Sequence, residues 1–404
     1  MKKIKNTIAK VILITFVVIS LILTCIVGLF LKVKAEIVDA LPHHKYRNVT
    51  LGFSLDHIMT FYIHMESSVK STVCMWDFAL WETRYQFYNR DMVYLNSLPH
   101  IRKLDCSDKL KNVNDEGLEQ LQLDNLIELH LYNKQILTCK FMLGLPKLKK
   151  LYLNGLQVKS GNWQYLLALK NLTSLNLAGT NISNKDLKHL SCLSNIQFIS
   201  FQCTKISDAG LKYLSHLTNL CTFDLSFTKI SNKGLQYLSN LNKLNVIDLS
   251  YTKISDAGLK YLSHLTNTQY LNLSHTNVSD KGLKFLSRMN QLREIHLAFT
   301  NIQGKTLGNI KTVEILSLKS CELSNAKFIG LQKLRKLCLT GYQMKVSQNM
   351  ISELSKIKTL EELYIRSSLS RKHHLDKALP SIKVLDQLFR GDMEFLHMIE
   401  FFPY

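Results

Sequence analysis

TKISDAGLKYLSHLTN occurs at Thr204–Asn219 and again, letter for letter, at Thr252–Asn267. The copies lie 48 residues apart, and Thr228–Leu241 carries the same skeleton between them as TKISNKGLQYLSNL. The unit is therefore 24 residues long. From Leu172 to Ile302 it reads L-x-x-L-x-L-x-x-T-x-I-x-x-x-G-L-x-x-L-x-x-L. A unit with one short alternating segment and one three-spaced apolar segment cannot bury its apolar residues alone. It must stack on copies of itself.

Outward from this centre the register loosens. Six units step by 24 residues: Leu172/Leu175/Leu177, Ile196/Ile199/Phe201, Leu220/Phe223/Leu225, Leu244/Ile247/Leu249, Thr268/Leu271/Leu273 and Leu292/Ile295/Leu297. Earlier units start at Ile101, Leu126 and Leu148, with steps of 25 and 22 residues between them. Later ones start at Val313, Leu334 and Leu360, and a partial one near Ile382, which makes about 12 units. In this period and pattern the chain is identified as similar to the leucine-rich repeats. The likeness spans roughly residues 100–370 and is nearest to the class shared by cysteine-containing/F-box-associated and bacterial GALA-type proteins. It implies an α/β solenoid, with a curved parallel sheet on the concave face and helices on the convex face. It also implies a role in holding a protein partner, with no catalysis and no cofactor of its own.

The unit's chemistry follows from its pattern. Side chains alternate along a strand, so the L-x-L pair enters the core while its neighbours face out. Thr180, Thr204, Thr228, Thr252, Thr276 and Thr300 follow the strand, and a threonine hydroxyl can satisfy backbone groups where the chain turns inward. Ser207-Asp208 and Ser255-Asp256 read as helix starts, with serine as N-cap and aspartate in the first turn. Leu211, Leu214 and Leu217 then enter the core at three-residue spacing. Gly117, Gly210, Gly234, Gly258 and Gly282 recur just before the first of these leucines, which points to close helix–helix packing. Asp186 stands in that place in the Leu172 unit.

Three columns of outward-facing strand residues form the expected partner-binding face. One, just before the threonine, includes Phe227, Tyr251, His275 and Phe299; the central column includes Asp224, Asp248 and His296; the first includes Phe198, Val246 and Tyr270. Aromatic residues on a rigid exposed surface are what interaction hot spots use. The alternative is that the rings before the threonine only stack on each other and cover the strand exit.

The chain has 404 residues, 46% of them hydrophobic, and a net charge of +20. The lysines are scattered through the return segments and no nucleic-acid-binding motif accompanies them, so they read as a solvated outer surface and no nucleic acid is expected. No HExxH, GxSxG, phosphate-binding glycine loop or metal-spaced His/Cys cluster occurs. The chain is thus read as neither an enzyme nor a holder of a metal or small-molecule substrate, and His43-His44 and His373-His374 are read as loop residues at a solvated surface. Nine cysteines without a C-x-x-C set neither a zinc site nor a disulfide framework, and unpaired thiols favour a reducing compartment. Cys106 stands at a leucine position and is read as core. N-x-S/T sequons at Asn48, Asn171, Asn181, Asn272 and Asn277 are mostly by-products of the repeat.

Domain boundaries are set at 1–35, 36–97, 98–370 and 371–404. Val11–Leu31 is apolar except for Thr15, Ser20, Thr24 and Gly28, with Lys2, Lys3, Lys5 and Lys10 before it and Lys32 and Lys34 after it. At about 1.5 Å per residue it spans a bilayer's hydrocarbon core. The lysine excess places the N-terminus in the cytoplasm and the repeats across the membrane. Cleavage at Ala35, which would release a secreted protein, is the rival reading. Residues 36–97 are aromatic-rich and read as a helical cap on the first repeat. Leu41-Pro42 and Val73-Cys74-Met75-Trp76 resemble an F-box, which implies a ubiquitin-ligase adaptor, although His43-His44 and the stretched spacing depart from that pattern. Residues 371–404 read as a final strand and helix capping the last repeat.

Overall fold

The computed structural model describes residues 101–385, apart from 106–112, 133–135, 324–325, 342–345 and 366–368, together with Asn89, Met92, Leu95 and Asn96. The apolar segment at 11–31, the cleavage position Ala35, His43-His44, the F-box-like stretch, most of the cap at 36–97, Cys106 and residues 386–404 of the C-terminal cap lie outside the described residues. Among those described, no helix is long and apolar enough to cross a membrane.

Each repeat contributes one three-residue strand. The strands are β1 (Lys103–Asp105), β2 (Glu128–His130), β4 (Lys150–Tyr152), β6 (Ser174–Asn176), β7 (Phe198–Ser200), β8 (Thr222–Asp224), β9 (Val246–Asp248), β10 (Tyr270–Asn272), β11 (Glu294–His296), β12 (Ile315–Ser317), β13 (Lys336–Cys338), β14 (Glu362–Tyr364) and β15 (Lys383–Leu385). They form one sheet in chain order. Its pairs are parallel and keep one register, so Thr222, Val246 and Tyr270 share a column, as do Asp224, Asp248 and Asn272. A separate parallel pair joins β3 (Ile136–Leu137) to β5 (Gln157–Val158). The final strand, expected within a terminal cap, pairs as an ordinary member of the main sheet.

The core is a set of aliphatic columns behind this sheet. Leu175, Ile199, Phe223, Ile247, Leu271 and Ile295 are fully buried, as are Ile182, Ile206, Ile230, Ile254, Val278 and Ile302 in the next layer. Several return segments are tighter than the helices that the sequence suggests, while Asp256–Leu262 and Gln348–Leu354 are seven-residue α-helices. Asn162–Ala168, Asp186–Cys192, Gly234–Leu238 and Lys284–Arg288 are 3-10 helices, and the α-helix at Asp208–Leu211 has only four residues. The three-residue leucine spacing suits this, because a 3-10 helix has about three residues per turn and puts i and i+3 on one line, although the same spacing also sits on the seven-residue α-helix at Asp256–Leu262. His373 and His374 lie in the helix Leu369–Ala378, not in a loop.

Side-chain hydrogen bonds lock one repeat to the next. Within each repeat, Thr180, Thr204, Thr228, Thr252, Thr276 and Thr300 instead donate from Oγ1 to the carbonyl three residues earlier and brace the turn after the strand. Ser207 and Ser255 stand at the N-cap and Asp208 and Asp256 in the first turn, as the sequence suggests, but their side chains bond to other repeats. Ser207 and Ser255 make no side-chain cap bond; their hydroxyls accept from Asn184 and Asn232 of the preceding repeat, both at 2.8 Å. Asp208 and Asp256 reach forward instead, accepting from the backbone N–H and hydroxyl of Ser231 and Ser279. The glycines do mark close packing against the preceding return segment, mostly against its side chains. A Cβ on Gly210, Gly234, Gly258 or Gly282 would strike the Oδ1 of Asn184, Asp208, Asn232 or Asp256, together with a leucine methyl, and at Gly282 also the Asp256 backbone Cα, 3.2 Å away. Asp186 fits in the glycine's place because its carboxylate turns back on Ser183, at 2.9 Å to the amide and 2.6 Å to the hydroxyl.

Candidate functional site

The chain leaves each strand through a residue in the left-handed conformation. Cys203, Phe227, Tyr251, His275, Phe299 and Ser320 all have φ between 54° and 56°. Gly155 and Gly179 hold the same place in earlier repeats, with φ of 72° and 68°. The geometry comes from the backbone: this residue's N–H continues the inter-strand ladder, as in Phe227 to the Ser250 carbonyl at 3.0 Å and Tyr251 to that of Ser274 at 2.9 Å. Glycine adopts this conformation freely, whereas other residues lose roughly 1–2 kcal/mol there. Four consecutive repeats nevertheless place a ring on it.

Those rings form a ladder. Phe227 stacks on Tyr251 at 3.9 Å and 14°, Tyr251 on His275 at 3.9 Å and 16°, and His275 on Phe299 at 4.2 Å and 18°. Stacking of this kind contributes roughly 0.5–1.5 kcal/mol per pair, which offsets the backbone strain. The rings cover each other's faces but stay open to solvent at their rims: Phe227, Tyr251 and Phe299 are 46%, 43% and 45% exposed, and His275 is half-buried. The Lys319 ammonium stands 6.0 Å from the Phe299 ring at one end. At the other end the column continues with Cys203, Gly179 and Gly155, so no ring follows Phe227.

The other two columns differ from expectation. Phe198, Val246 and Tyr270 are buried, and so are Asp224, Asp248 and His296, so none of the six presents an exposed contact. Residues of one column stand about 4.8 Å apart from strand to strand and shield each other. The carboxylates are also held by local donors. Asp224 accepts from the Ser226 amide and hydroxyl and from the Ser200 hydroxyl; Asp248 accepts from the Ser250 amide and hydroxyl and from Asn272. Burial raises the pKa of Asp224, and burial together with the Asp224 charge one strand away pushes Asp248 up to about 7. His296 bonds Glu294 at 2.7 Å and lies 5.2 Å from the Tyr270 ring.

Toward the start of the sheet the first column becomes charged. Glu128 pairs with Lys103 at 2.7 Å and bonds His130 at 2.7 Å, and His130 stacks on Tyr152 at 4.1 Å. The bond from His130, aided by Lys103, holds the Glu128 carboxyl at about 2. The described cysteines are free thiols; Cys203 is exposed within the ladder column, whereas burial pushes the Cys139 thiol up to about 12. Two sequons are engaged in structure, since the Asn272 amide donates to Asp248 and the Asn181 amide to the Val158 carbonyl. Among the described residues no three His, Cys, Asp or Glu side chains converge as a metal would require.

Sequence reasoning placed the ring column on the surface and missed its left-handed backbone. Gly155 and Gly179 were the available signal, because a glycine alternating with bulky residues at one repeat position marks a positive φ.

Comparisons with known proteins agree with this architecture. Residues 168–191, 216–239, 240–263 and 264–287 each match the family model described as Leucine Rich repeat. No curated protein matches the chain. Among solved structures, an internalin from Listeria monocytogenes is similar with 20% identity, over 74% of this chain and 94% of that one, at a TM-score of 0.55. A leucine-rich-repeat protein from Leptospira interrogans has 20% identity over 72% and 91%, at a TM-score of 0.44. At 20% identity the likeness to the internalin is one of fold. The chain carries leucine-rich repeats stacked into a solenoid on a parallel sheet.

Proposed function

We propose that this protein is a membrane-tethered interaction module that binds a protein partner along the Phe227–Tyr251–His275–Phe299 ladder. The half-exposed ring rims on a strained but rigid backbone carry the reading. A ring that served only to cover the strand exit could be replaced by glycine, as Gly155 and Gly179 show, without the left-handed strain. Keeping four large rings there supplies pre-ordered contact area, which costs little entropy when a partner docks. The tether is the apolar run at 11–31 with its flanking lysines, which places the repeats across the membrane from the N-terminus.

The test is site-specific photo-cross-linking in the native membrane. A photo-reactive aromatic residue replaces Tyr251 in one variant and Gln236, exposed on a return segment, in another. The reading expects one discrete adduct from position 251 that is absent from position 236 and lost when Phe227 and Phe299 are changed to serine. Equal labelling from both positions, or none from either, would overturn it. Protease added outside sealed membranes should remove the repeats; protection would reverse the proposed orientation.

A further inference from the structure

The ladder runs beside an unneutralised row of lysines. Two residues after each ring column position come Lys205, Lys229 and Lys253, all exposed. They are in register as well, because Lys229 and Lys253 pair with Ser207 and Ser231 of the preceding repeat in short parallel bridges. Among the described residues, no lysine or arginine from Lys185 to Lys311 forms an ion pair; the pairs that do form lie toward the two ends of the sheet. Nearby carboxylates are spent within the repeats. Asp208 and Asp256 bind the next repeat's serines, and Asp224 and Asp248 are buried. Past Lys253 the row turns to Asn277 and Asn301 and then to Glu322, so the basic half lies over β7–β9.

We infer that the ladder's partner is an acidic, extended segment of a protein, laid across β7–β9 with its carboxylates on Lys205, Lys229 and Lys253. This rests on the ladder being the interaction surface. Stacked rings present their rims, and the rim is the positive part of an aromatic quadrupole. Rims and lysines therefore favour the same ligand charge. The stacking also separates a peptide from a nucleic acid. Single-stranded nucleic acid is held by bases stacking on ring faces, and in this ladder the inner faces are already covered at 3.9–4.2 Å. From Cys203 to Phe299 the column spans about 19 Å at about 4.8 Å per strand, a length that about six extended residues match.

The full chain in detergent micelles would be titrated by fluorescence anisotropy with a labelled peptide of about twelve residues alternating glutamate and valine, enough to cross the ladder at about 3.3 Å per residue. The same peptide with lysine for glutamate, a single-stranded oligothymidylate and vesicles containing phosphatidylserine serve as comparison probes. Saturable binding of the acidic peptide is expected, weakening with salt. The triple variant Lys205→Glu, Lys229→Glu, Lys253→Glu should weaken it at least about tenfold. Lys212→Glu, Lys260→Glu, Lys284→Glu, an equal charge change on the return segments, should weaken it less than about threefold. Equal losses from the two variants would mean non-specific attraction and would overturn the inference. So would oligothymidylate or vesicles depending on the ladder lysines as strongly as the peptide does. If position 251 cross-links a partner while the acidic peptide fails to bind, the surface stands and its assigned charge preference falls.

Discussion

Asp208 of one repeat accepts the backbone N–H of Ser231 in the next at 2.7 Å, and the same Oδ1 fills the space that a Cβ on Gly234 would need. The bond and the glycine are two sides of one joint. The backbone at Gly234 has no left-handed strain, so an alanine there would ordinarily favour the helix by about 0.5–1 kcal/mol. Here the sign should reverse. Gly234→Ala must push the carboxylate off Ser231, leaving a part-buried N–H without its acceptor, and should destabilise by roughly 1–3 kcal/mol. Urea denaturation checks this; a midpoint that rises would show that the joint is not tight. Asp208→Ala should cost a similar amount, and the double variant less than the sum.

The ring column separates strain from function. Tyr251→Gly removes the left-handed strain together with two stacking contacts, so the two losses should nearly cancel and leave stability within about 1 kcal/mol. Tyr251→Val keeps the strain, adds a β-branch at positive φ and removes the stacking. It should cost about 2 kcal/mol or more. Denaturation midpoints of the two variants, measured together, test this. Equal destabilisation would mean that the positive φ carries no cost at this position.

The threonine column makes a smaller, additive contribution. Thr252 donates to the Leu249 carbonyl at 2.5 Å and is buried. Thr252→Val keeps the shape and deletes the bond, for a loss of about 1 kcal/mol; Thr252→Ser keeps the bond and should lose less. Equal losses from both variants would assign the column's value to its methyl groups.

The buried carboxylates make stability depend on pH in an unusual direction. Asp248 titrates at about 7 in the folded chain, far above an unfolded aspartate. Between those values the folded state holds a proton that the unfolded state has lost, so stability falls as pH rises through the folded pKa. From about pH 5.5 to about pH 8 the loss should be about 2 kcal/mol. Asp224→Asn keeps the Ser226 acceptor and lets the Ser200 hydroxyl reverse its bond, while removing the charge that raises Asp248. It should flatten the pH dependence and raise stability at the alkaline end. Denaturation across this range, with the variant beside the parent, decides it; an unchanged slope would place the titration elsewhere.

Much of this was legible without coordinates where one residue type reports one local demand. The leucine columns, the threonine turn and the exposed ring column were each readable from spacing. The two other outward columns were not. Phe198, Asp224 and Tyr270 alternate with core residues just as an exposed strand position does, and alternation cannot say how strongly neighbouring strands shield each other. At the helix starts the positions were legible but the bonding partners were not. Ser207-Asp208 has a local meaning as a cap, but both side chains bond instead to other repeats, Ser207 to the one before and Asp208 to the one after.

The sequence by itself determined the solenoid, the length of its unit and the identity of its core. A 24-residue period imposes the same strand and the same return each time, and burial of the leucines then requires stacking. Only the tertiary structure decided which outward residues stay open, which carboxylates lose their water and what each glycine makes room for. Those outcomes depend on the distance to the next repeat, and that distance is set when repeats pack together.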